Sequence, residues 1–173
     1  MDTDLGVAFR AAAAGDEAAF ACIVSAYHED MRRVCVVMTG DEQVAEEAVQ
    51  SAWSIAWRKL GTLHQPERLR PWLVSVAVNQ ARDMLRRRRR MPEVGLDIAA
   101  ARVTGGIDPA TGIESLDLLA AMKRLAPEDR ALIAMRYVIG FDATELASAV
   151  GLSPSGTRTR LERVLDRLRQ ELV

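Results

Sequence analysis

The residues with the clearest chemistry lie in one stretch, residues 71–90, which reads PWLVSVAVNQARDMLRRRRR. Its first half is apolar. Its second half places Asn79 and Arg82 about one helical turn apart and ends in five arginines, 86–90. Five adjacent cations repel one another, which costs stability unless an anion lies close by. The pattern predicts a helix with one end in a core and the other on a polyanion, and the alternative is a solvated helix end favoured by the helix dipole.

A second group of polar residues, Arg158, Thr159, Glu162 and Arg163, shares one face of an amphipathic segment near the C-terminus. We expect the opposite, apolar face to be buried; it carries Leu161, Val164, Leu165, Leu168 and Leu172. Arginine offers a fork of donors to guanine and glutamate accepts from cytosine N4, so the polar face suits a major groove. A short helix and a glycine-containing turn precede the segment and predict a helix-turn-helix. The alternative is a solvated face of pairs four residues apart.

The net charge of −1 hides a strong segregation of charge along the chain. Residues 61–92 carry a net +6 and residues 151–173 a net +2, whereas residues 1–60 carry −5 and residues 93–115 carry −3. Two basic zones far apart in sequence are therefore separated by an acidic spacer. The distribution favours a nucleic-acid partner, although the total charge does not.

The sequence offers no convincing nucleophile, paired carboxylate or metal cluster, so we expect neither enzymatic activity nor a cofactor. Cys22 and Cys35 are interpreted as small buried apolar residues in a reducing compartment. Together with His28 and His64 they lack the C-x-x-C and H-x-x-x-H spacings of metal sites.

The composition favours an all-α fold, because apolar residues make up 49% of the chain but aromatics only 5%, and alanine and arginine are abundant. No apolar run reaches the roughly 18–20 residues that a membrane span needs, and the N-terminus lacks a signal-peptide pattern. We therefore expect a cytoplasmic protein without membrane insertion.

Proline and glycine divide the chain into two helical domains. We predict one domain over residues 1–91 and a second over 115–173, joined by a flexible linker over 92–114 that has no sustained periodicity. In the first domain, a helix over about 42–60 places an apolar stripe on one side and acidic residues on the other. Trp53, Trp57 and Trp72 could stack on bases, but helical spacing puts Trp53 and Trp57 on that stripe, and we expect core packing for all three.

Three stretches resemble a known family: DEQVAEEAVQSAWSIAW (41–57), WLVSVAVNQARDMLR (72–86) and LAPEDRALIAMRY (125–137). Their order, followed by the helix-turn-helix, is similar to bacterial RNA polymerase sigma factors of the extracytoplasmic-function (ECF, group 4) type in the sigma-70 family. The resemblance implies a region 2 helical bundle, a region 4 helix-turn-helix and a promoter-specificity subunit that binds core RNA polymerase and helps open DNA.

Carried over by position, the resemblance assigns roles to polar residues of region 2. Glu46, Glu47 and Gln50 would contact the clamp helices of the polymerase β′ subunit. The loop residues Thr62, His64 and Gln65 would read a flipped base of the −10 element, since an unstacked base exposes edges that the duplex hides. On the following helix, Asn79, Arg82 and Arg86 would face the melted −10 DNA.

In region 4, the resemblance implies that Arg158, Thr159, Glu162 and Arg163 contact double-stranded −35 DNA, that the domain meets the polymerase β flap, and that an anti-sigma factor is a partner. The chain departs from the family pattern at Gly156, where threonine is usual, and at Thr157, where an aliphatic residue is usual. Glycine there lowers helix propensity by about 1 kcal/mol relative to alanine.

A helix-turn-helix transcriptional regulator with an N-terminal helical sensor domain is the alternative function. The acidic outer face of the 42–57 helix distinguishes this hypothesis from that of a sigma factor. A regulator that does not bind polymerase would not need a surface complementary to the polymerase clamp. A regulator would also offer a dimerisation face for a two-fold operator, and none is obvious.

Overall fold

The computed structural model describes residues 2–90 and 112–172. These residues form eight α-helices with short 3-10 turns at Leu60–Thr62 and Pro66–Arg68 and a π-helical turn at Ala134–Val138. The helices are α1 (Asp2–Ala13), α2 (Glu17–Thr39), α3 (Glu42–Lys59), α4 (Leu69–Arg90), α5 (Gly112–Arg124), α6 (Pro127–Ile133), α7 (Ala143–Val150) and α8 (Pro154–Glu171). The described part of the chain contains no strand, which confirms the all-α prediction. Most of the predicted linker lies outside the described residues.

Aspartate side chains cap the N-terminal ends of α2 and α3. Asp16 and Asp41 accept from the amides of Ala19 and Val44 at 2.9 and 3.0 Å, and so satisfy first-turn donors of α2 and α3. Gly40, between the two helices, has a left-handed φ of 71°, a conformation that costs a glycine nothing. These local signals set the sharp reversal that stacks α3 against α2.

Helix α4 belongs to an N-terminal bundle made of α1–α4, in which it packs on both α2 and α3. Pro71 is accommodated as the third residue of α4, where the missing N–H has no helical partner to lose. The buried stripe continues for about three turns through Leu73, Val74, Ala77, Val78 and Ala81. Met84 and Leu85 still pack against the core, and beyond Leu85 the helix carries the exposed arginine run.

A C-terminal bundle, made of α5–α8, packs directly on the N-terminal bundle. Helix α6 and the π turn lie against α2, and α7 lies against α4. The buried apolar residues of both bundles form a single cluster, in which Phe141 and Leu132 of the C-terminal bundle and Leu73 and Met38 of the N-terminal bundle are all fully buried. The contact between the bundles, here called the bundle interface, was not predicted from the sequence.

Three burial predictions are wrong. Cys22 is exposed, because it lies off the apolar stripe of α2, whereas Cys35 is buried as expected. Trp57 remains 38% exposed at the edge of the α3 stripe. The centre of its ring lies 4.9 Å from the centre of the Phe20 ring. Leu172 is 46% exposed because it follows the last turn of α8. Within the described residues, no helix is both long and apolar enough to cross a membrane.

Candidate nucleic-acid interface

The outward face of α3 carries the predicted polar contacts. Glu47 and Gln50 are exposed and Glu46 is half-buried, while the opposite face of the helix is buried in the N-terminal bundle. Glu46 lies 3.9 Å from His28 Nε2, and Nδ1 of the same ring accepts from the indole N–H of Trp53 at 3.3 Å. The face is therefore an acidic surface, and one of its carboxylates, that of Glu46, lies beside a side chain of α2.

The loop between α3 and α4 presents Thr62, His64 and Gln65 to solvent. Leu60 is buried at the start of the loop and Leu69 at its end, so the two anchors hold a short exposed arch. Thr62 Oγ1 donates to the carbonyl of Lys59 at 2.7 Å, which closes the end of α3. The structure thus leaves His64 and Gln65 accessible, while the Thr62 hydroxyl already has a partner.

Asn79 and Arg82 are brought together on α4. Arg82 Nη1 donates to Asn79 Oδ1 at 2.7 Å, as their spacing of three residues allows. Arg82 Nε also donates to Glu128 Oε1 on α6 at 3.1 Å. The pair predicted to meet DNA is therefore held by an acidic side chain of the C-terminal bundle.

The side chains of the arginine run, residues 86–90, differ in whether they have partners within the protein. Arg86 is exposed, but Arg88 Nη1 lies 2.9 Å from Asp41 Oδ2, the carboxylate that caps α3. Burial alone would raise the pKa of Asp41, but the hydrogen bond from Val44 and the Arg88 guanidinium outweigh it and hold the pKa below its ordinary value. Arg88 therefore ties the end of α4 to the start of α3.

The helix-turn-helix consists of α7 and α8, and its turn contains Gly151 with a φ of 69°. A capping box begins α7, in which Asp142 accepts from Glu145 N at 2.8 Å and Glu145 Oε2 accepts from Asp142 N at 3.0 Å. Ser153 caps α8 by accepting from Gly156 N at 3.1 Å. Both caps are local features, because they join residues two to three positions apart.

The outer face of α8 presents the predicted −35 residues, Arg158, Thr159, Glu162 and Arg163, all exposed. The unusual Thr157 is buried, and its hydroxyl donates to the carbonyl of Ser153 at 3.0 Å. A threonine therefore replaces an aliphatic residue here without leaving an unpaired buried hydroxyl. At Gly156 an added Cβ would lie 3.1 Å from Ser153 Oγ, so the capping serine crowds this position.

Asp129 on α6 is a structural residue that the sequence did not single out. Its side chain is only 13% exposed and lies 3.1 Å from Arg160 and 3.3 Å from Arg167. The two arginines are seven residues apart and so lie on the same side of α8, at the edge of its buried face. They line a cleft of about 370 Å³ with Asp129 and Arg163. The carboxylate holds the angle of α8 against α6.

Arg70, at the start of α4, was also missed by sequence reasoning. Its Nε donates to Asp30 Oδ2 at 2.8 Å, its Nη2 donates to the carbonyl of Ile139 at 2.6 Å, and its Nη1 donates to Glu145 Oε1 at 3.3 Å. The guanidinium carbon also lies 4.9 Å from the centre of the Phe141 ring. Burial would lower the pKa of Arg70, but the two carboxylates outweigh it and the net shift is upward.

Arg130, on α6, crosses the bundle interface in the opposite direction. Its Nε and Nη2 donate to the carbonyl of Met38 at 2.9 and 2.6 Å, near the C-terminal end of α2. Its Nη1 donates to the carbonyls of Lys123 and Leu125. Burial lowers the pKa of Arg130, yet arginine stays charged at any ordinary pH. The residue satisfies carbonyls at the ends of two helices from different bundles.

Comparison with known protein families assigns each bundle to a region of the sigma-70 family. The profile of sigma-70 region 2 matches residues 23–91, and the profile of sigma-70 region 4 matches residues 115–168. Together the two profiles account for more than two thirds of the chain. The matched segments are those that carry the α3 and α4 surfaces and the helix-turn-helix.

Individual proteins similar to this chain are also RNA polymerase sigma factors. The chain is 32% identical over 170 residues to a probable RNA polymerase sigma factor, RfaY, of Xanthomonas campestris pv. campestris, and the match covers 94% of this chain and 42% of RfaY. It is 25% identical over 172 residues to the ECF RNA polymerase sigma factor SigW of Bacillus subtilis, with 91% of each chain covered. The chain thus spans less than half of RfaY but nearly all of SigW.

Two solved structures share the fold. CnrH in complex with the cytosolic domain of CnrY superposes with a TM-score of 0.70 at 22% identity, covering 96% of this chain and 95% of CnrH. RpoE of Bartonella quintana in complex with the anti-sigma factor NepR superposes with a TM-score of 0.66 at 21% identity, covering 88% of this chain and 96% of RpoE. The chain therefore belongs to the extracytoplasmic-function group of the sigma-70 family, the promoter-recognising sigma subunits of RNA polymerase, and the alternative of a helix-turn-helix regulator with a sensor domain is not favoured.

Proposed function

We propose that this sigma factor divides its work between two domains, residues 1–91 as region 2 and residues 115–173 as region 4, with residues 92–114 as the linker. The observation that carries the proposal is the separation of two surfaces on different bundles. One surface lies on α3 and α4, and the other is the outer face of α8. Each bundle is small, so each can engage its own partner.

Region 2 binds core RNA polymerase through the acidic face of α3. Glu46, Glu47 and Gln50 meet the clamp helices of β′, and their exposure together with a buried opposite face supports this role. Region 4 meets the β flap. The charges on α3 favour a basic partner surface and steer its approach more than they add affinity.

Region 2 also reads the −10 element after the strands separate. The exposed arch with Thr62, His64 and Gln65 receives a flipped base, while Asn79 hydrogen-bonds a base edge. Arg82 and Arg86 hold phosphates beside it. The close approach of Asn79 and Arg82 supports a single binding surface on α4.

Region 4 reads double-stranded −35 DNA through α8. Arg158, Thr159, Glu162 and Arg163 lie on its exposed face, and two of them follow within six residues of the Ser153 cap. N-terminal positions of a recognition helix are those that reach base edges. Asp129 supports the reading by pairing with Arg160 and Arg167, which lie on α8 beside its exposed face.

Two further assignments complete the proposal. An anti-sigma factor regulates the chain, supported by a fold that CnrH and RpoE share in complexes with their own partners. The chain has no catalytic activity and uses no cofactor, supported by relatives that are sigma factors and transcription regulators. Its place of action is the cytoplasm, where RNA polymerase lies.

The deciding experiment is transcription by purified core RNA polymerase, with and without this protein, on a library of genomic promoters. We expect a set of start sites that depends on the added chain and shares a −35 and a −10 sequence. The control is the same polymerase with a chain lacking residues 115–173, which should lose start sites that rely on the −35 element. The proposal fails if no start site depends on the full chain.

A further inference from the structure

Most charged side chains of α8 already have partners within the chain. The helix carries five arginines and three acidic residues. Those with an ionic partner are Arg160, Arg167, Arg169, Asp166 and Glu171. Of the remaining three, Arg163 donates to a main-chain carbonyl of α8, whereas Arg158 and Glu162 have no hydrogen-bond or ionic partner in the part of the chain that the structure describes. One cation and one carboxylate of the described helix are thus available to a ligand.

Arg158 and Glu162 are both exposed and lie four residues apart, so they share the outer face of α8. Opposite charges at this spacing can pair along a solvated helix, which is the alternative that the sequence leaves open for this face. Among the described residues, the two side chains form no ion pair with each other. The face therefore presents two opposite charges outward instead of neutralising them along the helix.

Thr159 and Arg163, the other two residues proposed for −35 DNA, are partly engaged within α8. The Thr159 hydroxyl donates to the carbonyl of Ser155 at 3.1 Å, and Arg163 Nε donates to the carbonyl of Thr159 at 3.4 Å. Each of these bonds uses a donor that a base edge could otherwise accept from. Selection of bases therefore falls mainly on Arg158 and Glu162.

A carboxylate on a helix that approaches DNA is more selective than an arginine. It is repelled by phosphates and by the acceptor atoms in the major groove, which are O6 and N7 of guanine, N7 of adenine and O4 of thymine. Donors there are the N4 amino group of cytosine and the N6 amino group of adenine. Because adenine places its N7 acceptor beside its amino group, cytosine is the base that offers a carboxylate a donor without a neighbouring acceptor.

We propose that Glu162 selects a cytosine in the −35 element and that Arg158 holds a guanine one or two base pairs away. The inference rests on the proposed role of α8 in −35 binding and adds the bases that α8 selects. Four residues of an α-helix advance by about 6 Å, whereas neighbouring base pairs are about 3.4 Å apart, which sets this spacing. Guanine suits Arg158 because its O6 and N7 accept both donors of the guanidinium fork.

One substitution exchanges the expected base instead of only removing a contact. Glu162→Gln keeps the length of the side chain and nearly the same helix propensity, but its amide both donates and accepts and so pairs with N6 and N7 of adenine. The matched control is Asp166→Asn, which removes the same charge one helical turn further along, where the carboxylate is paired with Arg169. Circular dichroism and the thermal midpoint establish that each variant is folded.

The first measurement uses holoenzyme, formed from core RNA polymerase and the full chain. Promoters found by transcription, with the −35 element randomised, compete for it, and the bound sequences are counted. We expect the parent chain to favour cytosine at one position by about tenfold, and Glu162→Gln to favour adenine at that position. The control should keep the ranking of the parent chain.

The outcomes separate this inference from the proposed function. A parent chain with no preference at any −35 position contradicts the −35 role of α8 and the cytosine contact together. A parent chain that has a preference which Glu162→Gln leaves unchanged keeps the −35 role and overturns the cytosine contact alone. Loss of the preference in Asp166→Asn as well would show that charge on the helix, and not a contact of Glu162, sets it.

The second measurement alters the base. N4-methylcytosine keeps the N4 hydrogen that pairs with guanine and replaces the one that faces the major groove with a methyl group. At the selected position we expect this change to weaken binding of the parent holoenzyme by about tenfold and that of Glu162→Ala by less than twofold. Equal losses for the parent chain and Glu162→Ala would overturn the contact between Glu162 and cytosine.

Discussion

The two surfaces proposed to bind DNA, on α4 and on α8, differ in whether their side chains already have partners within the chain. On α8 the predicted −35 residues are exposed and project from a helix held at its base by Asp129. On α4 the pair Asn79 and Arg82 is bonded to itself and to Glu128 of the other bundle. A duplex already displays its base edges in the major groove, whereas a −10 strand must first be melted. The residues proposed for −35 DNA are therefore open to solvent, whereas Asn79 and Arg82, proposed for −10 DNA, already have hydrogen-bond partners within the chain.

The largest effect is expected at the bundle interface, beneath Arg70. Phe141→Ala removes a fully buried ring and leaves a cavity, so we expect a loss of about 3–5 kcal/mol in the free energy of unfolding. Urea denaturation followed by circular dichroism measures it. The control is Tyr137→Ala, since that ring is 59% exposed and should cost little. Equal losses for the two rings would contradict the central place of Phe141.

The next effect tests the α4 surface. Asn79→Ala should lower formation of the open complex by about tenfold to a hundredfold, because a base loses its hydrogen-bonding partner. Reactivity of unpaired thymines around −10 measures opening. Binding to core polymerase is measured in parallel and should not change, because Asn79 lies on α4, whereas Glu46, Glu47 and Gln50 lie on the outward face of α3. Equal loss of opening and core binding would show that the −10 assignment is wrong.

A smaller effect is expected on the α8 surface. Arg158→Ala should relax preference at one −35 position by about 1–2 kcal/mol, since a bidentate contact to a base is lost. Competition among −35 variants in a binding assay measures the preference. Arg169→Ala is the control, because it removes the same charge from the exposed far end of α8. An unchanged ranking of −35 variants in Arg158→Ala would count against the recognition role.

The smallest effect concerns Asp41 and Arg88, which tie the arginine run to α3. The pKa of Asp41 in the folded chain lies below its ordinary value of 3.8. Its stabilising contribution is therefore present above about pH 4 and is lost as the pH falls through the lowered pKa. Asp41→Asn keeps a good helix cap, so we expect it to cost about 0.5–1 kcal/mol at pH 7 and to flatten the fall in stability below pH 4. Thermal unfolding across that range measures both, and an unchanged acid slope would contradict the ion pair.

Much of the local structure was predictable because its causes lie within a few residues. The caps at Asp16, Asp41 and Ser153 and the capping box at Asp142 each join atoms two to three positions apart. The buried stripes of α3 and α4 follow from a period of 3.6 residues. The exposure of residues at the ends and edges of an apolar stripe was less predictable, because the neighbouring helix determines how much of the stripe is covered. The errors at Trp57 and Leu172 are of this kind.

The sequence alone determined the helices, their caps, the likeness to the sigma family and the residues whose chemistry suits DNA and polymerase. The roles of those residues stay predictions. Only the tertiary structure decided that the two bundles close on each other through Arg70, Arg82 and Arg130, and that Asp129 braces α8. Arg70 meets partners 40, 69 and 75 residues away, and no periodicity links such distant positions. Contacts of that kind depend on how completed helices pack, which is a property of the whole fold.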